Sequence, residues 1–139
     1  MQEYIIDGSD KVLGRLSSQV AKLLLNGNKV NLVNAEKIVL SGHILSILSN
    51  YKHRMELKDK ANPEHSPYWS RRADLFVKRV IRGMLPYKKP KGKSAFKLLK
   101  VYIGIPKEFK DSKPYDIKVK GPSEVFEKTH YMKDILNKL

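Results

Sequence analysis

The chain has no cysteine among its 139 residues. That excludes disulfides, thiolate nucleophiles and cysteine-ligated zinc together, and it agrees with a reducing compartment. Tryptophan occurs once. The four histidines, His43, His53, His65 and His130, are scattered, with no ligand spacing such as HExxH, so no metal is expected. Long apolar runs are lacking as well. The longest are pieces such as Leu23-Leu24-Leu25, far short of the roughly 18 residues of a membrane span. Met1-Gln2-Glu3-Tyr4-Ile5-Ile6-Asp7 places no basic stretch ahead of an apolar one, so no secretory signal is expected and a cytoplasmic location is.

Acidic residues are scarce in one region above all. From Leu75 to Lys107 there is none. Lys and Arg number 28 against 14 Asp and Glu, a net charge of +14. Residues 51–100 hold fifteen of the cations and only Glu56, Asp59, Glu64 and Asp74, whereas residues 1–50 carry a net +1 and residues 101–139 a net +2. An ordinary solvated surface mixes the two signs. A block of one sign repels itself and is best tolerated beside a polyanion. Composition therefore points to nucleic acid, and away from acidic substrates and carboxylate metal sites. With 41% hydrophobic residues, a core without staples is expected, at a length close to one domain.

Apolar patterning places that core towards the N-terminus. Tyr4–Asp7 reads as a strand, and Gly8-Ser9-Asp10 as a turn with Ser9 or Asp10 capping a helix. Val12, Leu13, Leu16, Val20, Leu23 and Leu24 recur at helical spacing, and Asn26-Gly27-Asn28 stops them. Val30–Val33 is a buried strand and Ile38–Leu40 another apolar stretch, so residues 4–33 form a βαβ unit with parallel pairing. A helix is expected from Ile44 to about Met55, with Ile44, Leu45, Ile47, Leu48 and Tyr51 on its buried face. Asn62-Pro63 and Ser66-Pro67 mark a loop over 56–70. A helix over about 71–85 ends at Pro86. Lys88–Lys93 reads as a basic loop punctuated by Pro90 and Gly92, followed by a short helix to about Leu99 and a strand over Val101–Ile103. Beyond Gly104-Ile105-Pro106, Tyr115, Ile117 and Val119 alternate, and Thr129 is placed to cap a terminal helix. The expected organisation is a single domain over 1–139. It comprises an α/β core of 1–55 and 94–106, a basic arm over 56–93 and a C-terminal extension over 107–139.

Catalytic motifs fail on spacing, and no enzyme and no cofactor are expected. Between Gly8 and Gly14 five residues intervene where a phosphate loop needs four, and Arg15-Leu16 stand where Lys and Ser or Thr belong. A structural turn with a closely packed Gly14 is expected instead. No G-x-G-x-x-G occurs, and Ser41-Gly42 is not a nucleophile elbow.

The segment 71–85 carries more information. At roughly 100° per residue, Arg71, Arg72, Lys78, Arg79 and Arg82 share one face, while Phe76, Val77, Val80, Ile81 and Met84 share the other. Leu75 is the exception. A membrane-surface helix also combines such faces, but here the basic sequence continues through the expected Pro/Gly loop, which suits a contact that follows a nucleic-acid backbone. Tyr68, Trp69 and Tyr87 flank the cations and offer rings for unpaired bases, although Trp69 serves equally well as a loop anchor. The candidate binding residues are Lys52, Arg54, Tyr68, Trp69, Arg71, Arg72, Lys78, Arg79, Arg82, Tyr87, Lys88, Lys89, Lys91, Lys93, Lys97 and Lys100.

Four segments in order, Val12-Leu13-Gly14-Arg15-Leu16-Ser17-Ser18, Val33-Asn34-Ala35-Glu36-Lys37-Ile38-Val39-Leu40-Ser41-Gly42, Arg82-Gly83-Met84-Leu85-Pro86 and Leu99-Lys100-Val101-Tyr102-Ile103-Gly104, resemble the large ribosomal subunit protein thirteen family. The resemblance covers about residues 4–106. Asn62-Pro63 to Arg72 and Gly104-Ile105-Pro106 are similar to its archaeal and eukaryotic branch. The resemblance implies a three-layer α/β/α core with a mostly parallel four-stranded sheet. It also implies a structural role in the large subunit, with large-subunit rRNA and neighbouring ribosomal proteins as partners and an early part in assembly. Ser66 stands where the family leads one to expect glycine, and the tail after Lys107 matches it weakly. An RNA-binding regulator or assembly factor acting off the ribosome is the alternative.

Overall fold

The computed structural model describes residues 2–110, 112–119, 121–124 and 128–139. Strand β1 (Glu3–Asp7), helix α1 (Leu13–Leu25) and strand β2 (Lys29–Val33) form the expected βαβ unit. The strands run parallel, from Glu3 opposite Lys29 to Asp7 opposite Val33. In α1, Leu13, Leu16, Val20, Ala21 and Leu24 are buried, the stripe that a spacing of three and four residues puts on one helix face. The chain leaves the helix through Gly27, whose φ of +81° suits glycine and whose N–H bonds the Leu24 carbonyl at 3.0 Å.

Neither expected cap is used. Helix α1 starts after Val12 without a side-chain cap, because Ser9 donates its N–H and hydroxyl to Asp7 and Asp10 accepts from the Tyr131 hydroxyl at 2.8 Å. Gly14 is likewise not closely packed, since a Cβ there would meet nothing within 4 Å. The crowded glycine is Gly8, where a Cβ would lie 2.9 Å from Ile38. Asp7 also accepts from the Asn34 amide at 2.9 Å. Burial pushes its carboxyl upward, but the bonds from Asn34 and Ser9 and the charge of Lys11 outweigh that and hold it below the ordinary value.

The sheet holds three strands, not the expected four, among the described residues, with β2 between β1 and the strand Leu99–Val101. Strand β3 (Val39–Ser41) pairs antiparallel with β5 (Thr129–Tyr131), forming a separate two-stranded ribbon. Helix α5 (Met132–Lys138) follows at once, and its Met132, Ile135 and Leu136 enter the common core, which draws Thr129 into a strand instead of a cap. Strand β4 (Leu99–Val101) lies parallel to β2 and starts two residues before the expected strand. Tyr115, Ile117 and Val119 form no strand; the Tyr115 N–H bonds the Ile5 carbonyl and Ile117 is buried in the core.

Two helices differ from expectation. Helix α2 (Ile44–Glu56) has no fully buried residue, and Leu45, expected inside, is 67% exposed. The helix lies on the flank, where Ile47, Leu48 and Tyr51 only border the core. Helix α4 (Pro90–Lys97) contains the start of the expected short helix but begins earlier, taking in Pro90–Lys93 of the stretch read as a basic loop. Pro90 takes the first turn, where its missing N–H costs nothing. Gly92 is pressed against the Pro86 carbonyl, where a Cβ would stand 2.1 Å away. Helix α3 (Ala73–Gly83) lies where the periodicity places it and buries Ala73, Phe76, Val77 and Ile81. No helix among the described residues is long and apolar enough to cross a membrane.

Candidate nucleic-acid interface

Because α3 commits Phe76, Val77 and Ile81 to the core, its cations are left on the outer side together with the exposed Leu75. They are not equivalent there. The guanidinium of Arg72 makes a two-pronged bond to Asp74, at 3.2 and 2.8 Å. This pair satisfies an otherwise unhelpful cation beside the positive end of α3, and it leaves Arg72 partly neutralised. Arg79 lies over the Trp69 ring at 4.3 Å and donates to the Tyr68 carbonyl. Burial, and then the nearby charges of Arg82 and Arg54, lower its pKa from the ordinary guanidinium value.

Aromatic rings hold Arg54, Lys78 and Arg82 on either side of α3. Arg54 from α2 lies 5.4 Å from the Tyr51 ring and 5.3 Å from the Trp69 ring. Tyr51, Trp69 and Phe76 pack on one another, with centroids 4.8 to 5.9 Å apart. Burial raises the Tyr51 hydroxyl pKa, with Arg54 opposing. On the other side Lys78 lies 5.3 Å from Phe96 and Arg82 5.2 Å from Tyr87, and those two rings meet edge-on at 5.4 Å. Trp69 therefore acts as a loop anchor.

Arg71, Lys88, Lys89, Lys91, Lys93, Lys97 and Lys100 are exposed, as is Lys52 on α2. Among the described residues no ring or ion pair ties Lys52 or Lys100 to the band around α3. In α4, Gly92 and Ala95 face inward, which turns Lys93 and Lys97, one helical turn apart, outward. The continuation of the basic block is thus a second amphipathic helix, and the expected contrast between an irregular basic loop and a membrane-surface helix does not exist here. Tyr51, Phe96 and Asp74 have parts in this surface that the residue pattern did not assign. The spacing of Tyr51 and Arg54, one turn apart in α2, was the available signal for the first; Phe96 and Asp74 gave none.

Chemically this face offers fixed positive charge on apolar and aromatic supports, with no group of three His, Asp or Glu side chains placed to hold a metal among the described residues. Such an α/β fold with a one-sided cationic helical face carries the electrostatic pattern found in proteins that bind polyanions. Residues 1–108 match the family model described as ribosomal protein L13. The chain is 42% identical over 122 residues to the large ribosomal subunit protein uL13 of Methanosphaera stadtmanae, spanning 87% of this chain and 86% of that protein. It is 45% identical over 114 residues to uL13 of Methanosarcina barkeri (81% and 79%) and 48% identical over 104 residues to uL13 of Methanocaldococcus jannaschii (74% and 76%). The chain belongs to the ribosomal protein L13 family. That family is named for a ribosomal component, not for a reaction, and these three relatives are archaeal.

Proposed function

We propose that this chain is a structural constituent of the large ribosomal subunit, that it binds and stabilises large-subunit rRNA, and that it joins the subunit early in assembly. The observation that carries the reading is the cationic surface of α3 and α4, which carries no acid after Asp74, in a chain whose relatives are large-subunit proteins. Cations placed against phosphates release counterions and offset the repulsion between crowded RNA helices. A-form RNA hides its major groove, so recognition rests on backbone and shape. On this reading residues 56–93, with Lys52, Arg54, Lys97 and Lys100 beside them, form the RNA-facing arm of a three-layer core. Its partners are rRNA and adjoining large-subunit proteins, in the cytoplasm. Arg71, Lys78, Arg82 and the lysines from Lys88 to Lys97 would take the phosphates, whereas Arg79 and Trp69 support them. Fractionating a lysate of the native host on a sucrose gradient tests this. The chain is expected at one copy per large subunit. Its absence from large subunits would overturn the reading in favour of a factor acting off the ribosome.

A further inference from the structure

A groove of about 750 Å³ opens beside the start of α3, between the end of α2 and the loop that joins the two helices. Its walls combine two chemistries. Met55, Pro63 and Pro67 are apolar, and Lys58 and Arg71 are cationic. Tyr68 also lines it and is 79% exposed.

Of the three aromatic candidates, Tyr68, Trp69 and Tyr87, Tyr68 has the most open ring. Trp69 is occupied by Arg79 and by its aromatic neighbours, and Tyr87 is engaged by Arg82 and Phe96. Among the described residues nothing stacks on Tyr68. Its backbone is held even so, because its carbonyl accepts from Arg79. The loop behind it is braced. The Asp59 N–H donates to Ser66 Oγ at 2.9 Å, and the Asp59 carboxylate accepts from the N–H groups of Ala61 and Asn62. Ser66, which departs from the expected glycine, thus supplies one of these braces. An exposed ring on an ordered backbone loses little freedom when a flat partner settles on it.

An unpaired nucleotide needs such a combination: a π-face for its base, an apolar slot, and cations within reach of its phosphates. A fully paired A-form helix has its bases stacked internally and gains nothing from the ring. We propose that this groove captures one unpaired nucleotide of RNA, its base stacked on Tyr68 and its flanking phosphates against Arg71 and Lys58. The assignment rests on the rRNA-binding reading above and narrows it to a feature that double-stranded RNA lacks.

Two RNA hairpins with the same stem test it against the full chain, one carrying a single bulged 2-aminopurine and the other fully paired. Fluorescence anisotropy should show the bulged hairpin binding about five- to a hundredfold more tightly, the range for one base on an aromatic ring, with its 2-aminopurine emission quenched on binding. Tyr68→Phe should keep that preference. Tyr68→Ala should lower binding of the bulged hairpin to the level of the paired one, while its thermal melt stays as in the wild type. Equal affinity of the wild type for both hairpins, or an undiminished preference in Tyr68→Ala, would overturn the assignment and leave rRNA binding standing. If neither hairpin binds, both readings fall.

Discussion

Helices α1 and α3 pack against each other in one core and are built by the same rule. Each buries an apolar stripe, Leu13, Leu16, Val20 and Leu24 in one, Ala73, Phe76, Val77 and Ile81 in the other. At about 1.5–3 kcal/mol for each large side chain fully buried, the stripes dock the two helices alike. Their outer faces differ. That of α1 mixes Arg15 and Lys22 with Ser18 and Gln19, and Ser18 bonds the carbonyl of Arg15, within its own helix. That of α3 carries cations whose guanidinium and ammonium groups lie against rings contributed by α4 and the loops flanking α3. The buried stripe makes a helix and seats it. The opposite face, which folding leaves free, is where this molecule holds its charge.

The contrast can be broken first at the core. Leu16→Ala in α1 and Ile81→Ala in α3, both at fully buried positions, should each cost about 2–5 kcal/mol in a urea melt of the full chain. A cost under about 1 kcal/mol for either would place that helix outside the shared core. The outer faces come next. Replacing Arg71, Arg82 and Lys93 by Gln should leave the melt nearly unchanged, since all three are exposed. It should flatten the log–log salt dependence of binding to an rRNA fragment by about 2, at roughly 0.7–0.9 for each phosphate left without its cation. Arg15→Gln with Lys22→Gln on α1 should leave that slope unchanged; equal flattening by both sets would make the charge of the band around α3 and α4 nothing special. The smallest effect belongs to Arg79. Because its guanidinium supports Trp69 and the Tyr68 carbonyl, Arg79→Gln should lower stability by about 1 kcal/mol, whereas Lys22→Gln should stay within about 0.5 kcal/mol of the wild type. Equal stability of the two variants would return Arg79 to the set of freely solvated cations.

The βαβ unit and α3 were legible because their apolar spacing is sustained over several turns or a full strand, and local pattern and tertiary packing agree there. The segment Pro90-Lys91-Gly92-Lys93 reads as a loop on local preference. It is helical where Pro90 suits the first turn and where Gly92 and Ala95 are both buried against the body, with Gly92 small enough to sit on the Pro86 backbone. The pairing of β3 with β5 joins residues about ninety positions apart, and no local signal reaches that far. The candidate cations could be named from charge density alone. Which of them are free was not visible, because Asp74 and Trp69 neutralise or engage Arg72 and Arg79 through side-chain geometry.

By itself, the order of residues determined the α/β class, the parallel pairing of β1 with β2, the amphipathic α3 and the one-sided excess of positive charge, all of which follow from composition and short-range periodicity. Only the tertiary structure decided that α5 closes the core, that α4 begins as early as Pro90, that Trp69 supports cations and that Tyr68 keeps an open ring. Those outcomes depend on which distant groups come to share a contact. Packing and side-chain hydrogen bonds settle that through space, at separations along the chain where local propensity carries no information.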